Sequence, residues 1–404
     1  MSGSMVLNDS YISGGVEPKK KSFLVSLVVL AVVIGFPRIY GTEVPMASLL
    51  IPFYMLGFMR FLKRNGSFAA IFILLFTSWV IGGALAASAG TVGDLFFHLV
   101  VSSKIFLNVF FGYVIFHIVQ RKPSVLLCWV LIQCALAVAS VLNRDIYILL
   151  LGFISPRSAE VFQHIFGLRA LGFGLFHVDG ALTLIIALFY YLLITRQGAL
   201  KNVLIVMIFP IAMAIARSAI IPFAILGSSR RGMGFKVILL LALVAMVIMS
   251  FYVTSGAFYQ ATEIFRNLID SGELRSNSVT SLSYMYALPD HFSTYLFGDG
   301  RYFSENTSVL GFYKGTDVGY LRLLYFSGLG SVFVFLLLNS FYVIATLFSG
   351  RYEKSGDVKI FAMAMFVIFI IINFKGLQVM PVFAVTAYLY ALSKRRDVMG
   401  YNLD

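Results

Sequence analysis

The stretch FGDGRYFSENTSVLGFYKGTDVGYLRLLYFSGLGS, residues 297–331, carries a run of charged side chains directly into a long apolar segment. It closes the longest polar interval of a sequence that is otherwise very hydrophobic. Charged groups beside lipid are costly unless another group neutralises or uses them. The stretch therefore predicts a functional site at the start of a membrane-spanning helix. Its charged residues are Asp299, Arg301, Glu305, Lys314, Asp317 and Arg322.

The composition of the whole chain points to a membrane protein. Of its 404 residues, 60% are hydrophobic and only 12% are charged, and the mean hydropathy is +0.91. Soluble domains are about one quarter charged, so we expect an integral membrane protein with many spans, surrounded by lipid. The net charge of +13 is scattered between apolar runs, as orientation signals are, and no nucleic-acid motif accompanies it. We expect no nucleic-acid partner.

The cysteines and histidines predict neither a disulfide framework nor a metal site, and no cofactor is expected. Cys128 and Cys134 share one apolar run, and His164, Asp290 and His291 lack the spacing of metal ligands. The N-terminal segment has no cleavage-site pattern after a short apolar core, so we expect no removable signal peptide.

Twelve apolar segments follow one another along the chain. A helix needs about 20 apolar residues to cross about 30 Å of hydrocarbon. The eighth segment is too short to cross alone, and only Ala216 and Arg217 separate it from the seventh, so this pair is a candidate broken or re-entrant hairpin. We predict an all-α integral membrane fold of one domain, residues 1–404. The predicted spans are residues 22–40, 44–62, 67–88, 95–119, 124–143, 176–195, 199–215, 218–229, 234–255, 317–348, 359–375 and 377–393.

The distribution of lysine and arginine predicts the orientation of these spans. With Lys19, Lys20 and Lys21 inside, the inner segments hold 19 of the 31 Lys and Arg residues, against 11 outside and one within a span. Because this excess marks the cytoplasmic side, both termini, including the tail 1–21, are predicted to be cytoplasmic. Two sizeable outer loops follow, residues 144–175 and 256–316. The first is expected to form amphipathic helices on the membrane surface.

Arg217 is the most unusual residue within the apolar runs, which flank it on both sides. It is either a helix-end arginine that reaches towards water or a clamp for phosphate, whose oxygens match the planar guanidinium fork. Pro210 and Pro222 bracket it and are candidates for breaking the helices there.

A second basic position, Arg169, precedes the sixth span within a glycine-rich segment that ends in His177 and Asp179. Gly172 and Gly174 permit close approach of the backbone. His177 and Asp179 either form a polar helix start, with Asp179 near the positive end of the helix dipole, or line the same outer cavity as Arg217.

The tenth span opens with Asp317, Tyr320 and Arg322 within two helical turns. Thr316 or Asp317 is a natural N-cap. Alternatively, the Asp317 carboxylate accepts a proton from a sugar hydroxyl at the aqueous face. Lys104, within the fourth span, is a candidate relay or substrate contact that has no obvious acidic partner within the spans. Lys375 is predicted to be an outer-surface anchor.

The arrangement resembles the superfamily of O-antigen polymerases (Wzy-type) and O-antigen ligases. The similarity lies in about twelve spans, cytoplasmic termini and two outer loops. The pair Arg217–Ser218 at the end of an apolar span is similar to the family's arginine there, and Arg169, a few residues before the next span, is similar to the family's other basic position. FGDG at 297–300 and TDVGYLRLLYFSGLGS at 316–331 are similar to the family's late signature. Ligases usually carry a histidine at this point, whereas this chain has Asp317, which favours the polymerase.

The resemblance implies a GT-C-like glycosyltransferase of the bacterial inner membrane whose active site faces the periplasm. It would join undecaprenyl-pyrophosphate-linked oligosaccharides, which serve as donor and acceptor in O-antigen or a related surface polysaccharide, with a chain-length regulator as a possible partner. Arg169 and Arg217 would hold the pyrophosphate without a metal, and Asp317 would orient or deprotonate the acceptor. The expected substrate contacts are Arg322, Tyr320, His177, Asp179, Arg301, Asp299 and Lys104.

Two alternatives stay open at the level of sequence. An O-antigen ligase would transfer the glycan to lipid A core instead. A flippase or other transporter would move the lipid-linked oligosaccharide, but such proteins tend to show internal repeats and polar sites at mid-membrane, and neither is visible in this sequence.

Overall fold

The computed structural model describes residues 19–195, 199–229, 233–272, 282–304, 311–349 and 355–398. Within these ranges the chain is helical, and β-structure is confined to two isolated bridges. Most of the predicted N-terminal tail and two parts of the second predicted loop, the latter including Glu305, lie outside the described residues.

The α-helices of the described ranges follow one another along the chain, and most of the connections between them are short. They are α1 (Lys19–Val33), α2 (Ile51–Arg64), α3 (Gly66–Ala87), α4 (Val92–Arg121), α5 (Pro123–Leu142), α6 (Arg144–Leu151), α7 (Pro156–Phe162), α8 (His177–Ile194), α9 (Ala199–Ile215), α10 (Ile220–Ser228), α11 (Met233–Tyr252), α12 (Gly256–Ala261), α13 (Glu263–Ser271), α14 (Phe292–Phe297), α15 (Gly319–Leu347), α16 (Ser355–Ile372) and α17 (Val382–Val398).

Each of the twelve predicted spans falls on a helix, and the all-helical fold is confirmed. By length and composition, six helices are able to cross a membrane: Met46–Arg64, which joins a short 3-10 turn to α2, together with α3, α4, α5, α8 and α15. The count of twelve crossings and their orientation stay predictions. Several predicted ends need correction, among them the start of the last span, since α17 begins at Val382 and not at residue 377. α1 stops at Val33, before Gly35 and Phe36 adopt positive φ, and α16 stops at Ile372.

Helix α8 forms the centre of the bundle. Its side chains are apolar almost all round, and a helix of that kind is stable only when other helices surround it. Residues Leu184–Leu193 are buried without interruption, and α8 packs against α5, α9, α10 and α17. The first turn of α8, which carries His177 and Asp179, is therefore fixed in position by a rigid core.

The helix break predicted at Ala216 and Arg217 is present. α9 ends at Ile215, Ala216 is extended (φ −156°, ψ 136°), and a 3-10 turn over residues 217–219 leads into the short helix α10. Pro210 lies inside α9 without ending it, so the prolines do not mark the break as their positions suggested.

The connections that the sequence assigns to the outer side meet at one end of the bundle, which we call the loop end. The N–H of Arg38 donates to the carbonyl of Phe153 (2.7 Å), and the N–H of Ala170 donates to the carbonyl of Ala214 (3.0 Å). The hydroxyl of Tyr286 donates to the carbonyl of Phe374 (3.2 Å). These bonds join segments far apart in sequence, so residues of several connections share one surface.

Helix α15 is broken near its start, and the FGDG turn fills the break. Ser327 (φ −146°) and Gly328 (φ 74°) are not helical. The freed carbonyls of Tyr325 and Phe326 accept hydrogen bonds from the N–H groups of Asp299 (2.5 Å) and Gly300 (3.0 Å). Unpaired backbone groups are costly when buried, so this turn stabilises the break.

Replacement of Gly328 by alanine tests this docking. A Cβ there would lie 2.3 Å from the Leu296 carbonyl oxygen, and the residue has φ 74°. We expect Gly328→Ala to lower the free energy of unfolding by at least about 1–2 kcal/mol, measured by thermal unfolding in detergent. Gly330, two residues later in the same helix, has no atom within 4 Å of the same position. Gly330→Ala should be neutral or slightly stabilising, and equal losses in both variants would contradict the account.

Candidate functional site: a basic cluster at the loop end

Arg217 lies at the break between α9 and α10, and its side chain is buried. The residue is 9% exposed, and its guanidinium forms an ion pair with Glu263, at the start of α13, which is equally buried. A buried arginine needs such a partner because the charge is otherwise left in a poorly polar environment. The hydroxyl of Ser218 beside it is buried and finds no hydrogen-bond partner among the described residues. The break therefore places one cation and one unused hydroxyl at the same point.

Arg169 lies next to this break on a loop that is held in place from two sides. The N–H of Ala170 binds the carbonyl of Ala214 near the end of α9, and the N–H groups of Leu171 and Phe173 bind side chains of α5. Arg169 itself is half-buried, and within the described ranges it forms no ion pair or hydrogen bond through its side chain. The loop thus presents an uncompensated cation beside Arg217.

A third cation, Lys375, completes the group that we call the basic cluster: Arg169, Arg217 and Lys375. Burial lowers the pKa of the Lys375 ammonium, the two arginines lower it further, and Asp317 raises it. Each of these charge effects requires the other charge to lie near Lys375, and a Cβ built on the neighbouring Gly376 would lie 3.8 Å from a carboxylate oxygen of Asp317. The prediction that Lys375 is a surface anchor missed this placement. No motif signals it, since it depends on α16 ending at Ile372.

Asp317 stands between the basic cluster and Arg322. Its carboxylate is partly exposed, and one oxygen lies 3.5 Å from Nη1 of Arg322. Burial raises the pKa of the Asp317 carboxyl, while Arg322 and Lys375 lower it in part. The prediction that Thr316 or Asp317 is the N-cap is wrong, because α15 begins at Gly319 and its N-cap residue is Val318, which has no side-chain cap hydrogen bond. The hydroxyl of Thr316 instead accepts a hydrogen bond from the N–H of Val318 (3.2 Å), just before the cap. Asp317 is therefore not needed as a cap and is available for chemistry.

Arg322 is packed between two aromatic rings. It is 6% exposed, and its guanidinium carbon lies 4.0 Å from the ring centre of Phe312 and 5.0 Å from that of Phe97. Its Nε and Nη2 are buried and have no hydrogen-bond partner in the described part of the chain. The rings hold the guanidinium by cation–π attraction, so Arg322 is a fixed positive charge behind Asp317.

His177 and Asp179, on the first turn of α8, have different surroundings. His177 has an exposed side chain and φ of 51°, an uncommon conformation that is found at functional sites. Asp179 accepts a hydrogen bond from Nζ of Lys104 (2.5 Å). The interpretation of Lys104 as a lysine without an acidic partner is thus wrong, because a residue 75 positions away faces it.

The Lys104–Asp179 pair lies in the wall of a cavity of about 910 Å³. Most of the wall is apolar and comes from α4, α8 and the segment before α2. Phe176, Ile372 and Gln378 also line it, and they flank His177 and Lys375, so the cavity adjoins the basic cluster. The cavity is partly open, because its lining includes large apolar side chains that remain exposed. These are Val44, Phe96, Leu99 and Val100.

Two predicted substrate contacts, Tyr320 and Asp299, form hydrogen bonds within the protein. The hydroxyl of Tyr320 donates to the carbonyl of Ile370 (2.9 Å), which ties α15 to the end of α16. The carboxylate of Asp299 accepts a hydrogen bond from the hydroxyl of Thr294 (2.7 Å), and Arg301 follows the same docked turn. Their roles in substrate binding stay predictions.

Sequence reasoning also missed Glu263, because an acidic residue at the start of a loop helix carries no motif. Among the described residues, no group of three or more His, Cys, Asp or Glu is arranged to hold a metal ion.

The fold and the site together define an all-helical protein with several helices able to cross a membrane and a cationic site at one end of the bundle. No protein family, curated protein or solved structure matches the chain.

Proposed function

We propose that this protein is a membrane glycosyltransferase that polymerises undecaprenyl-pyrophosphate-linked oligosaccharide repeats on the periplasmic face of the bacterial inner membrane. The observation that carries the proposal is the basic cluster, because three cations from distant parts of the chain share one site beside a carboxylate. An anion with several negative charges is the ligand that such a cluster fits, and a pyrophosphate carries them.

The cavity beside the basic cluster supports the proposal that the substrate carries a lipid chain. Its walls are mainly apolar and it is partly open, so in the proposal it takes an isoprenoid chain that enters from the bilayer. A lipid-linked pyrophosphate has this same division into an apolar chain and an anionic head. The Lys104–Asp179 pair lies in the wall and provides a polar contact near the head.

The reaction needs charge neutralisation and positioning more than it needs a strong acid. An acceptor hydroxyl oxygen bonds to the anomeric carbon of the donor glycan as the bond from that carbon to the pyrophosphate oxygen breaks. The pyrophosphate leaves with the electron pair, and Arg169, Arg217 and Lys375 stabilise its developing charge. Asp317 accepts the hydroxyl proton. Arg322, fixed behind Asp317, holds the carboxylate in place.

Binding of the isolated leaving group tests the proposal. We expect undecaprenyl pyrophosphate to raise the melting temperature of the purified protein, whereas undecaprenol, which lacks the phosphates, should not do so at the same concentration. Arg169→Gln and Lys375→Gln should each weaken binding of the pyrophosphate about 10- to 100-fold, since hydrogen bonds to charged groups contribute about 1.5–3 kcal/mol each.

Lys359→Gln is the matched control, because Lys359 lies near the other end of α16, away from the turn that carries Lys375. It should leave the affinity unchanged. Equal affinity for undecaprenol and undecaprenyl pyrophosphate would exclude the basic cluster as the pyrophosphate site. So would a loss of affinity in Lys359→Gln as large as that in Arg169→Gln and Lys375→Gln.

A further inference from the structure

A segment that the sequence places in the second outer loop exposes many large apolar side chains. Tyr284 is 86% exposed, Phe292 75% and Phe297 72%, and Leu288 and Leu296 are also exposed. Between residues 282 and 300 the charged or titratable groups other than tyrosine are Asp290, His291 and Asp299. Surfaces that face only water rarely present so many large apolar groups in so short a segment.

The position of α14 against α15 indicates where this segment lies relative to the membrane. Its last residues, Leu296 and Phe297, contact the break in α15 at Gly328. From Gly328 to Leu347, α15 is about 30 Å long, which equals the thickness of the hydrocarbon layer. The end of α14 therefore lies level with one boundary of that layer.

The apolar surface of the segment continues onto this part of α15. Leu329 and Phe333, in the first turns after the break, are exposed large apolar side chains. On a helix that crosses a membrane, such side chains face lipid. The exposed residues at the end of α14 are next to them, so the same lipid covers both.

We infer that residues 284–297 lie in the bilayer leaflet at the loop end, at the boundary between headgroups and acyl chains. Phe292, Leu296 and Phe297 contact acyl chains, and Asp290 stays among the headgroups. The segment before α14 is irregular, and irregular backbone cannot enter hydrocarbon because its polar groups would lack partners. Tyrosines, of which this segment has three, are enriched at this boundary.

This contact with lipid fixes the height of the site above the membrane. The turn that follows α14 binds the carbonyls of Tyr325 and Phe326, so α14 and the start of α15 move as one unit. Asp317 and Arg322 at that start are thereby held near the membrane surface. The inference concerns a lipid surface and does not depend on the proposed reaction.

Spin labels on single cysteines test the inference. In a background with Cys128→Ala and Cys134→Ala, a label is attached at Phe292→Cys, Leu296→Cys or Phe297→Cys, and the purified protein is placed in phosphatidylethanolamine–phosphatidylglycerol liposomes. Accessibility to oxygen, which concentrates in lipid, is compared with accessibility to a water-soluble nickel chelate. The reference labels are Phe333→Cys for lipid and Asp290→Cys for the headgroup region.

We expect the three labels to resemble the label at Phe333, with at least a several-fold higher ratio of oxygen to nickel accessibility than the label at Asp290. A ratio equal to that at Asp290 would overturn the inference. Shielding from both reagents, or broadening between labels of neighbouring molecules, would also overturn it, because a second copy would then cover the surface. As a check in the protein with its native cysteines, a tryptophan introduced as Phe297→Trp should add fluorescence that brominated lipids quench.

Discussion

Arg217→Ala should abolish polymer formation, with a fall in kcat/KM of about 10²–10³-fold. Arg217 is the most buried cation of the basic cluster and is the one that the helix break places there. In the proposed reaction, its loss removes the donor fork that neutralises the leaving pyrophosphate. The measurement is the rate at which purified protein lengthens lipid-linked glycan, at matched protein concentration.

The change also removes the partner of Glu263, and a buried charge left unpaired costs about 3–5 kcal/mol of stability. A double variant, Arg217→Met with Glu263→Gln, separates the two effects, because it leaves no charge unpaired. We expect it to recover most of the melting temperature and none of the activity. Recovery of activity in the double variant would reduce Arg217 to a structural partner of Glu263.

Asp317→Asn should lower the rate about 10²–10⁴-fold with little change in the affinity for undecaprenyl pyrophosphate, because a general base acts on the acceptor. In the unmodified protein the rate should fall as the pH drops through the pKa of Asp317, which burial raises above its ordinary value. It should also fall as the pH rises through the pKa of Lys375, which burial and the neighbouring arginines lower. Both limbs of the pH profile are thus displaced towards neutrality.

Stability provides the control for this pH dependence. Because its folded pKa is raised, Asp317 stabilises the fold in its protonated form, and that contribution is lost as the pH rises through the folded pKa. Asp317 therefore does not destabilise the protein over the acid limb, where activity declines. Melting temperatures that fall in parallel with activity over this limb would contradict a role of Asp317 as the base. The same conclusion would follow if the residual activity of Asp317→Asn still declined at acid pH.

The length of the apolar segments was enough to predict most of the helices, because membrane helices must be long and apolar. The helix break at Ala216 also followed from the sequence, since the segment after it was too short to cross alone and only Ala216 and Arg217 separated it from the segment before. The break in α15 could not be predicted from the sequence. It depends on Gly328 taking a positive φ and on the FGDG turn, whose Asp299 and Gly300 bind the freed carbonyls of Tyr325 and Phe326. No local pattern in the sequence encodes these contacts between distant segments.

The candidate site was predicted in part, for a physical reason. Arg169, Arg217 and Asp317 are conspicuous because charge within apolar sequence is rare. Lys375 and Glu263 lie in polar connections, where charge is common, and only the packing of α13 and α16 brings them to Arg217. Likewise, the pairing of Lys104 with Asp179 joins α4 to α8, and no local pattern encodes it.

The central claim is that the basic cluster serves polymerisation, and one reaction tests it most directly. Purified protein is incubated with its undecaprenyl-pyrophosphate-linked repeat, with and without EDTA, and the products are separated on a gel. The account predicts a ladder of lengthened lipid-linked glycan that persists in EDTA and is lost in Arg217→Ala. It would be contradicted if no ladder formed while glycan was transferred to added lipid A core, or while lipid-linked oligosaccharide crossed the membrane of proteoliposomes unchanged.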